Sequence, residues 1–324
     1  MRLKLVPTAT NFDFFSRPVM WLGISAVLIV LAIGSFLIQG LNYGIDFSGG
    51  TTIRLESTQA IDVAAYRGAL DALELGDVSI VEIRDPTFGP EQFVAAVTIQ
   101  AQEGAEAVTG AVIEEIGAAL QAVDPQLKLP FSSVESVGPT VSGELIFWAI
   151  VAVSSALLAV LAYIYLRFEW QFALGAVAAL VHDVVLTIGV FSELQIKFDL
   201  PIIAALLTIV GYSLNDTVVV FDRVRENLRK YKKKDLKDVL NLSINETLSR
   251  TVMTSVTTLL ALISLFVLGG DVIRGFVFAM IWGVIVGTYS SIFVASAVLL
   301  VLGVKRDWSK PDASAGTQFD NIDA

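Results

Sequence analysis

Few residues in this chain can do chemistry, and they lie where charge is costly. Asn215 and Asp216 interrupt an apolar run from Pro201 to Phe221, and His182-Asp183 sits midway through another from Gln171 to Phe191. About 20 apolar residues cross a bilayer core of roughly 30 Å. An ionised carboxylate inside such a span costs at least about 2.5–3.5 kcal/mol. Such a group is compensated by a partner, or is there to change its protonation state. At about 100° per residue, Ala205, Thr208, Tyr212 and Asp216 fall on one stripe with Asn215 on its flank, while Ile203, Leu207, Val210, Leu214, Val218 and Phe221 fall opposite. This spacing predicts that Asp216 points into a helix bundle and that the opposite stripe meets lipid.

Arg250 opens the next apolar run, and Thr254, Thr257, Ala261 and Ser264 continue a small, polar stripe from it. By rise per residue, Asp216 lies about 7–8 Å inside the inner end of its span. Arg250 enters from the same side, so the two can reach one level. The pattern predicts a proton relay in which Arg250 neutralises Asp216 when no proton is bound, with His182-Asp183 as a second relay point. The residues alone leave a structural reading open. Asp216, Asp183 and His182 could serve as polar contacts between helices, and Arg250 could snorkel to lipid headgroups. Gly283 and Gly287 have the small-xxx-small spacing of close helix packing.

The elements that must carry these residues are mostly membrane spans. Over 324 residues the mean hydropathy is +0.70 and 55% of side chains are hydrophobic, in long blocks, which indicates an integral membrane protein. There is no cysteine, so no disulfide or thiol chemistry, and one histidine, which excludes a His-rich metal site. The net charge of −10 is concentrated: between Gly40 and Thr140 there are 15 acidic and 4 basic residues. An acidic domain of this kind does not suggest nucleic acid.

In chain order, residues 1–18 precede a first span at 19–39, read as retained because Ser35 to Gln39 is a poor cleavage site. Residues 40–142 form an extramembrane insertion. Strands are expected at Thr51–Glu56, Val78–Arg84, Gln92–Ile99 and Leu129–Val137, and helices at Ile61–Leu75 and Gly104–Val123, with turns at Asp85-Pro86 and Gly89-Pro90. The order β-α-β-β-α-β is the ferredoxin-like arrangement. Gly44 to Thr51 is glycine-rich but lacks the lysine and following helix of a phosphate loop, and reads as a tight exit from the first span. Further spans are expected at 145–165, 171–191, 201–221, 251–268 and 276–302. The intervening loop, 222–250, carries eight basic residues between Arg223 and Lys237. The basic loop, Arg2 and Lys4, and Lys305, Arg306 and Lys310 place both termini in the cytoplasm and the acidic domain outside. The tail, 303–324, is small and polar and is expected to be disordered. The fold class is thus a polytopic α-helical membrane protein of six spans with one α+β ferredoxin-like outer domain.

Taken jointly, several stretches resemble the SecD/SecF family of bacterial protein-export membrane proteins, in the manner of its smaller, SecF-type member. They are Asn42 to Thr51, His182-Asp183, Gly211-Tyr212-Ser213-Leu214-Asn215-Asp216, Asp222 to Asn227, Arg250-Thr251 and Gly269-Gly270, within a likeness over about residues 10–306. The family belongs to the resistance–nodulation–division superfamily. The resemblance implies a non-enzymatic subunit of the bacterial inner membrane that assists preprotein translocation late in the Sec pathway. It implies protons as the coupling ion and no other cofactor. Implied partners are SecD, the SecYEG translocon, YajC and YidC, preproteins and membrane lipid. By the match Asp216 is the proton carrier and Arg250 its partner, with Asn215, Asp183, His182 and Thr254 in support. Rival readings are an intramembrane aspartyl protease built on Asp183 and Asp216, a small-molecule exporter of the same superfamily, and a passive assembly subunit.

Overall fold

The computed structural model describes residues 10–83, 88–89, 91–101, 108–270 and 272–304. Among the described residues, six helices are long and apolar enough to cross a membrane. They are α1 (Pro18–Gln39), α5 (Pro139–Arg167), α6 (Trp170–Glu193), α7 (Leu200–Lys230), α8 (Leu236–Leu268) and a composite last span. That last span comprises α9 (Arg274–Ser290), a π-helical turn (Ser291–Ala295) and α10 (Ser296–Leu302). Proline at the first turn starts α1, α5 and α7, where its missing N–H costs nothing.

Helices α6, α7 and α9 are the inner members of the bundle, and small residues let them approach. A side chain at Gly189 of α6 would strike Ala32 of α1, and one at Gly283 of α9 would strike Ile209 of α7. At Gly287 it would meet Ser213 Cβ at 3.1 Å. The α6 Gly189 crossing lies outside the Gly283/Gly287 pair singled out by spacing. In a bilayer, where the hydrophobic effect does not draw helices together, such close approach supplies the association.

Between α1 and α5 lies the sheet domain: α2 (Ile45–Ser48), β1 (Gly50–Ser57), α3 (Val63–Asp71), β2 (Val78–Ile83), β3 (Phe93–Gln100), α4 (Gly110–Val123) and β4 (Ser133–Val137). The sheet order is β2-β3-β1-β4 with every neighbouring pair antiparallel, as the ferredoxin-like order requires. Register is set by pairs such as Ile53↔Val97 and Ile53↔Val134. Alternate residues Ile53, Leu55, Val97 and Ile99 face α3 and α4, which contribute Tyr66, Leu70, Ile116 and Leu120 to one core. Asp62 caps α3, accepting from the Ala64 and Ala65 amides.

The elements differ from expectation in places. Helix α3 is shorter than 61–75, because the Asp62 cap and the turn after Asp71 bound it. The last strand begins at Ser133 rather than Leu129. Residues 84–87 and 90, including Arg84, Asp85, Pro86 and Pro90, lie outside the described residues, as do 102–107 at the expected start of the second helix. The expectations for Arg2, Lys4, Lys305, Arg306, Lys310 and most of the 303–324 tail also fall outside them.

The basic 222–250 segment is not mainly a loop. Helices α7 and α8 run on through it, leaving only Tyr231 to Asp235 as the connection. Beyond the apolar runs, Val224 and Leu228 of α7 pack with Val239, Leu240 and Ile244 of α8 and with Phe15, so an amphipathic helical pair extends past the span. The chain before α1 is clasped to it. Asn245 Oδ1 accepts from the Phe12 amide at 2.8 Å, its Nδ2 donates to Phe12 O at 2.8 Å, and Asn241 Oδ1 accepts from Phe14 N at 2.9 Å.

Candidate functional site

The polar centre of the bundle is Asp183 on α6, which is 0% exposed. Its Oδ2 accepts from Ser213 Oγ of α7 at 2.6 Å and from Ser290 Oγ of α9 at 2.8 Å. Its Oδ1 lies 3.0 Å from His182 Nδ1, where the Nδ1–H tautomer donates. Both carboxylate oxygens are therefore engaged, and hydrogen bonds to an ionised acceptor are each worth about 1.5–3 kcal/mol. The His182 ring stacks on Tyr289 at 5.9 Å, and Tyr289 Oη reaches Ser25 Oγ of α1 at 3.0 Å. Asp183 thus ties α6, α7 and α9 together, and His182 carries the polar track towards α1. Its Nε2 is buried without a partner. Sequence reasoning gave neither Ser213, which enters only within the family-like Gly211–Asp216 stretch, nor Ser290 a role as a carboxylate donor. The detectable signal was a buried acid needing donors.

Asp216 is in a different state. It is buried on α7, 3% exposed, yet its Oδ2 has no hydrogen-bond partner. Tyr212, one turn away on the same helix, has its hydroxyl buried without a partner, as does Thr251 on α8. Arg250 is exposed on α8 and makes no ion pair with Asp216 among the described residues, but it is a cation whose field reaches that carboxylate. Thr254 is half-buried, and its hydroxyl donates back to Arg250 O at 3.0 Å. Asn215 is exposed. The structure therefore brings Asp183, His182, Ser213 and Ser290 together. It holds Asp216 one turn beyond Ser213, with Arg250 on the neighbouring helix α8.

The rotation of α7 differs from the wheel. Asp216 and Ala205 turn inward, but Thr208 and Asn215 are exposed, while Val210 and Phe221 are buried rather than lipid-facing. The buried arc runs through Ile202, Ile209, Ser213, Asp216, Val220 and Val224. Because α7 packs on α6, α8 and α9, this arc is wide and includes apolar residues. A polarity stripe marks Asp216's direction but not the centre of the contact.

At its other end α7 is tied to the sheet domain. Asp46 Oδ2 accepts from the Leu200 amide at 3.0 Å, satisfying a first-turn N–H of α7. Asn42 O and the Gly44 amide pair with Phe198 at 2.7 and 2.8 Å. Gly50 at φ 132° lets β1 leave this hook, and a side chain there would strike Ile99 O. The glycine-rich exit is therefore a one-turn helix docked on the start of α7. Asp199, the residue before α7, has its carboxyl pushed up by burial. Lys197 opposes that shift and the Asp46 carboxylate adds to it.

Comparison with known proteins agrees with this architecture. A family profile described as protein export membrane protein SecD/SecF, C-terminal, matches residues 115–305, and a SecD/SecF GG motif matches residues 34–61. The chain is 60% identical to a protein translocase subunit SecF of Cereibacter sphaeroides, over 100% of this chain and 99% of that protein. It is 58% identical to one of Rhodobacter capsulatus, over 97% and 95%. The crystal structure of SecDF, a translocon-associated membrane protein from Thermus thermophilus, superposes with a TM-score of 0.80 at 36% identity. That match covers 93% of this chain but only 40% of the solved one, so this chain spans about two fifths of that protein.

Proposed function

This chain belongs to the SecD/SecF family as a SecF-type protein translocase subunit, and from that premise we propose that it couples proton movement to preprotein export through Asp216. The observation that carries the reading is the contrast between two intramembrane acids. Asp183 has every oxygen engaged and is suited to hold helices together. Asp216 is buried with a free oxygen and a cation within electrostatic reach, which equips it to exchange a proton. Protonation removes its attraction to Arg250 and changes the balance between α7 and α8. A potential of about 100 mV supplies about 2.3 kcal/mol per charge crossing it, enough to bias a two-state bundle. The Asp46 cap and the Asn42–Gly44 pairing then transmit movement of α7 to the sheet domain.

In this reading the protein lies in the bacterial inner membrane with both termini and the α7–α8 extension in the cytoplasm, and the sheet domain in the periplasm. It is a transport subunit rather than an enzyme. SecD is the expected partner at the open face of α7 and α8. There Thr208, Asn215, Thr257 and Ser264 are exposed and Gly211 has open space beside it, a small and polar surface that favours a helix over lipid. SecYEG, YajC and YidC would be met through that complex.

The test is export under a proton-motive force in cells carrying only Asp216→Asn, with protein levels matched and partner co-purification checked. Lost export with the complex intact is expected. Normal export would return Asp216 to a structural role and leave a scaffold subunit.

A further inference from the structure

A second charged feature lies on the α7–α8 extension side, away from Asp216. A cavity of about 510 Å³ is lined by Arg167, Asp222, Arg225, Glu226, Arg229 and Lys230. Its acids are already engaged: Asp222 pairs with Arg167 at 3.2 Å and Glu226 with Arg223 at 2.9 Å. Arg225 and Arg229 have no ion-pair partner among the described residues. Arg225 is held in place instead. Its Nη1 donates to Arg167 O at 3.3 Å, and its guanidinium lies 5.3 Å from the Phe168 ring centroid, with that of Arg167 at 5.1 Å. Cations in a helix's last turn complement its dipole, which accounts for Arg229 and Lys230. It does not account for Arg225, five residues before the end and turned onto a ring of another element.

The cavity's height in the membrane is fixed by its neighbours. Helix α5 ends at Arg167 after Tyr165 and Leu166, which are 69% and 85% exposed, and Trp170 opens α6 at 54%. Exposed tyrosine and tryptophan beside a span's end mark the headgroup layer. A fixed guanidinium fork at that level matches a phosphate better than a point charge does. We propose that this cleft binds the phosphate of an anionic phospholipid headgroup through Arg225 and Arg229, with the acyl chains lying along the Tyr165–Leu166 end of α5.

The test reconstitutes the full chain in phosphatidylcholine bilayers containing trace spin-labelled phosphatidylglycerol or phosphatidylcholine, and measures the motionally restricted lipid by electron paramagnetic resonance. Phosphatidylglycerol is expected to associate more strongly. The Arg225→Gln/Arg229→Gln variant is expected to weaken that preference at least about fivefold, the contribution of one interfacial cation. A Lys232→Gln/Lys233→Gln control, losing the same charge, should weaken it much less, and Arg225→Lys should fall between if the fork matters. Added salt should leave much of the preference in place, since a seated headgroup is screened less than a diffuse one. Equal losses in the two double variants would overturn the site in favour of a diffuse basic field. Displacement by inorganic phosphate but not by chloride of matched ionic strength would assign the cleft to a free anion, against the lipid proposal. Thermal unfolding of each variant in the same bilayers identifies any that fail to fold, and Arg225→Lys then carries the test.

Discussion

If Asp183 is a fastener rather than a proton carrier, its neighbours should matter for stability and its charge should matter little for export. Ser213→Ala or Ser290→Ala each removes one hydrogen bond, of 2.6 or 2.8 Å, to a fully buried carboxylate. At about 1.5–3 kcal/mol for a bond to a charged acceptor, each single change should cost about 2 kcal/mol. Asp183→Ala strands the Ser213 hydroxyl and His182 Nδ1, leaves Ser290 only the Gly287 carbonyl at 3.2 Å, and opens a void, so it should cost about 4 kcal/mol or more. Asp183→Asn is the informative change. Its carboxamide oxygen can take the Oδ2 position and keep both serines. Its amide then faces His182 Nδ1, which accepts once the ring proton moves to Nε2, a nitrogen now without a partner. The cost falls to the difference between charged and neutral acceptors, about 1–2 kcal/mol. Thermal unfolding of the purified protein in detergent should rank the variants in that order, and cells carrying Asp183→Asn should export. Loss of export by Asp183→Asn, with assembly and melting close to wild type, would refute the fastener role and make Asp183 a second relay. Neutral serine variants would refute the bonding itself.

Asp46→Ala removes the oxygen capping α7 and should cost about 0.5–2 kcal/mol, seen as faster amide exchange confined first to residues 200–203. In the sheet domain, burial raises the Asp124 carboxyl, but hydrogen bonds from Ser57, Tyr66, the Gln126 amide and Gln59 outweigh it and hold it below its ordinary value. Its stabilisation is therefore complete above the unfolded value of about 3.9 and is lost as pH falls through the lower folded value. Protease protection of this domain in the full chain should drop in that acid range, and Tyr66→Phe, losing a 2.7 Å bond to Asp124, should weaken protection at neutral pH. Gly283→Leu drives a side chain into Ile209 and should destabilise by about 1–3 kcal/mol, with Ile209→Ala restoring part of the melting temperature.

Local spacing determined much of this protein. The lengths of the apolar runs dictated the spans, because a bilayer of fixed thickness accepts only helices of matching length. Alternation and turn residues dictated the split β-α-β-β-α-β order, because a strand with one buried face repeats every two residues. The cost of a carboxylate in hydrocarbon made Asp183 and Asp216 stand out before any coordinates. What the sequence could not decide was which polar atoms meet. The Asp183 cluster joins residues 30 and 107 positions apart, and Asn245 reaches Phe12 across 233. Such contacts depend on how each helix is turned about its axis. That turn is set by packing against several neighbours at once, which is why Val210 and Phe221 face inward while Thr208 and Asn215 do not. The tertiary structure alone therefore distinguishes one acid with every oxygen bonded from another with an oxygen left free.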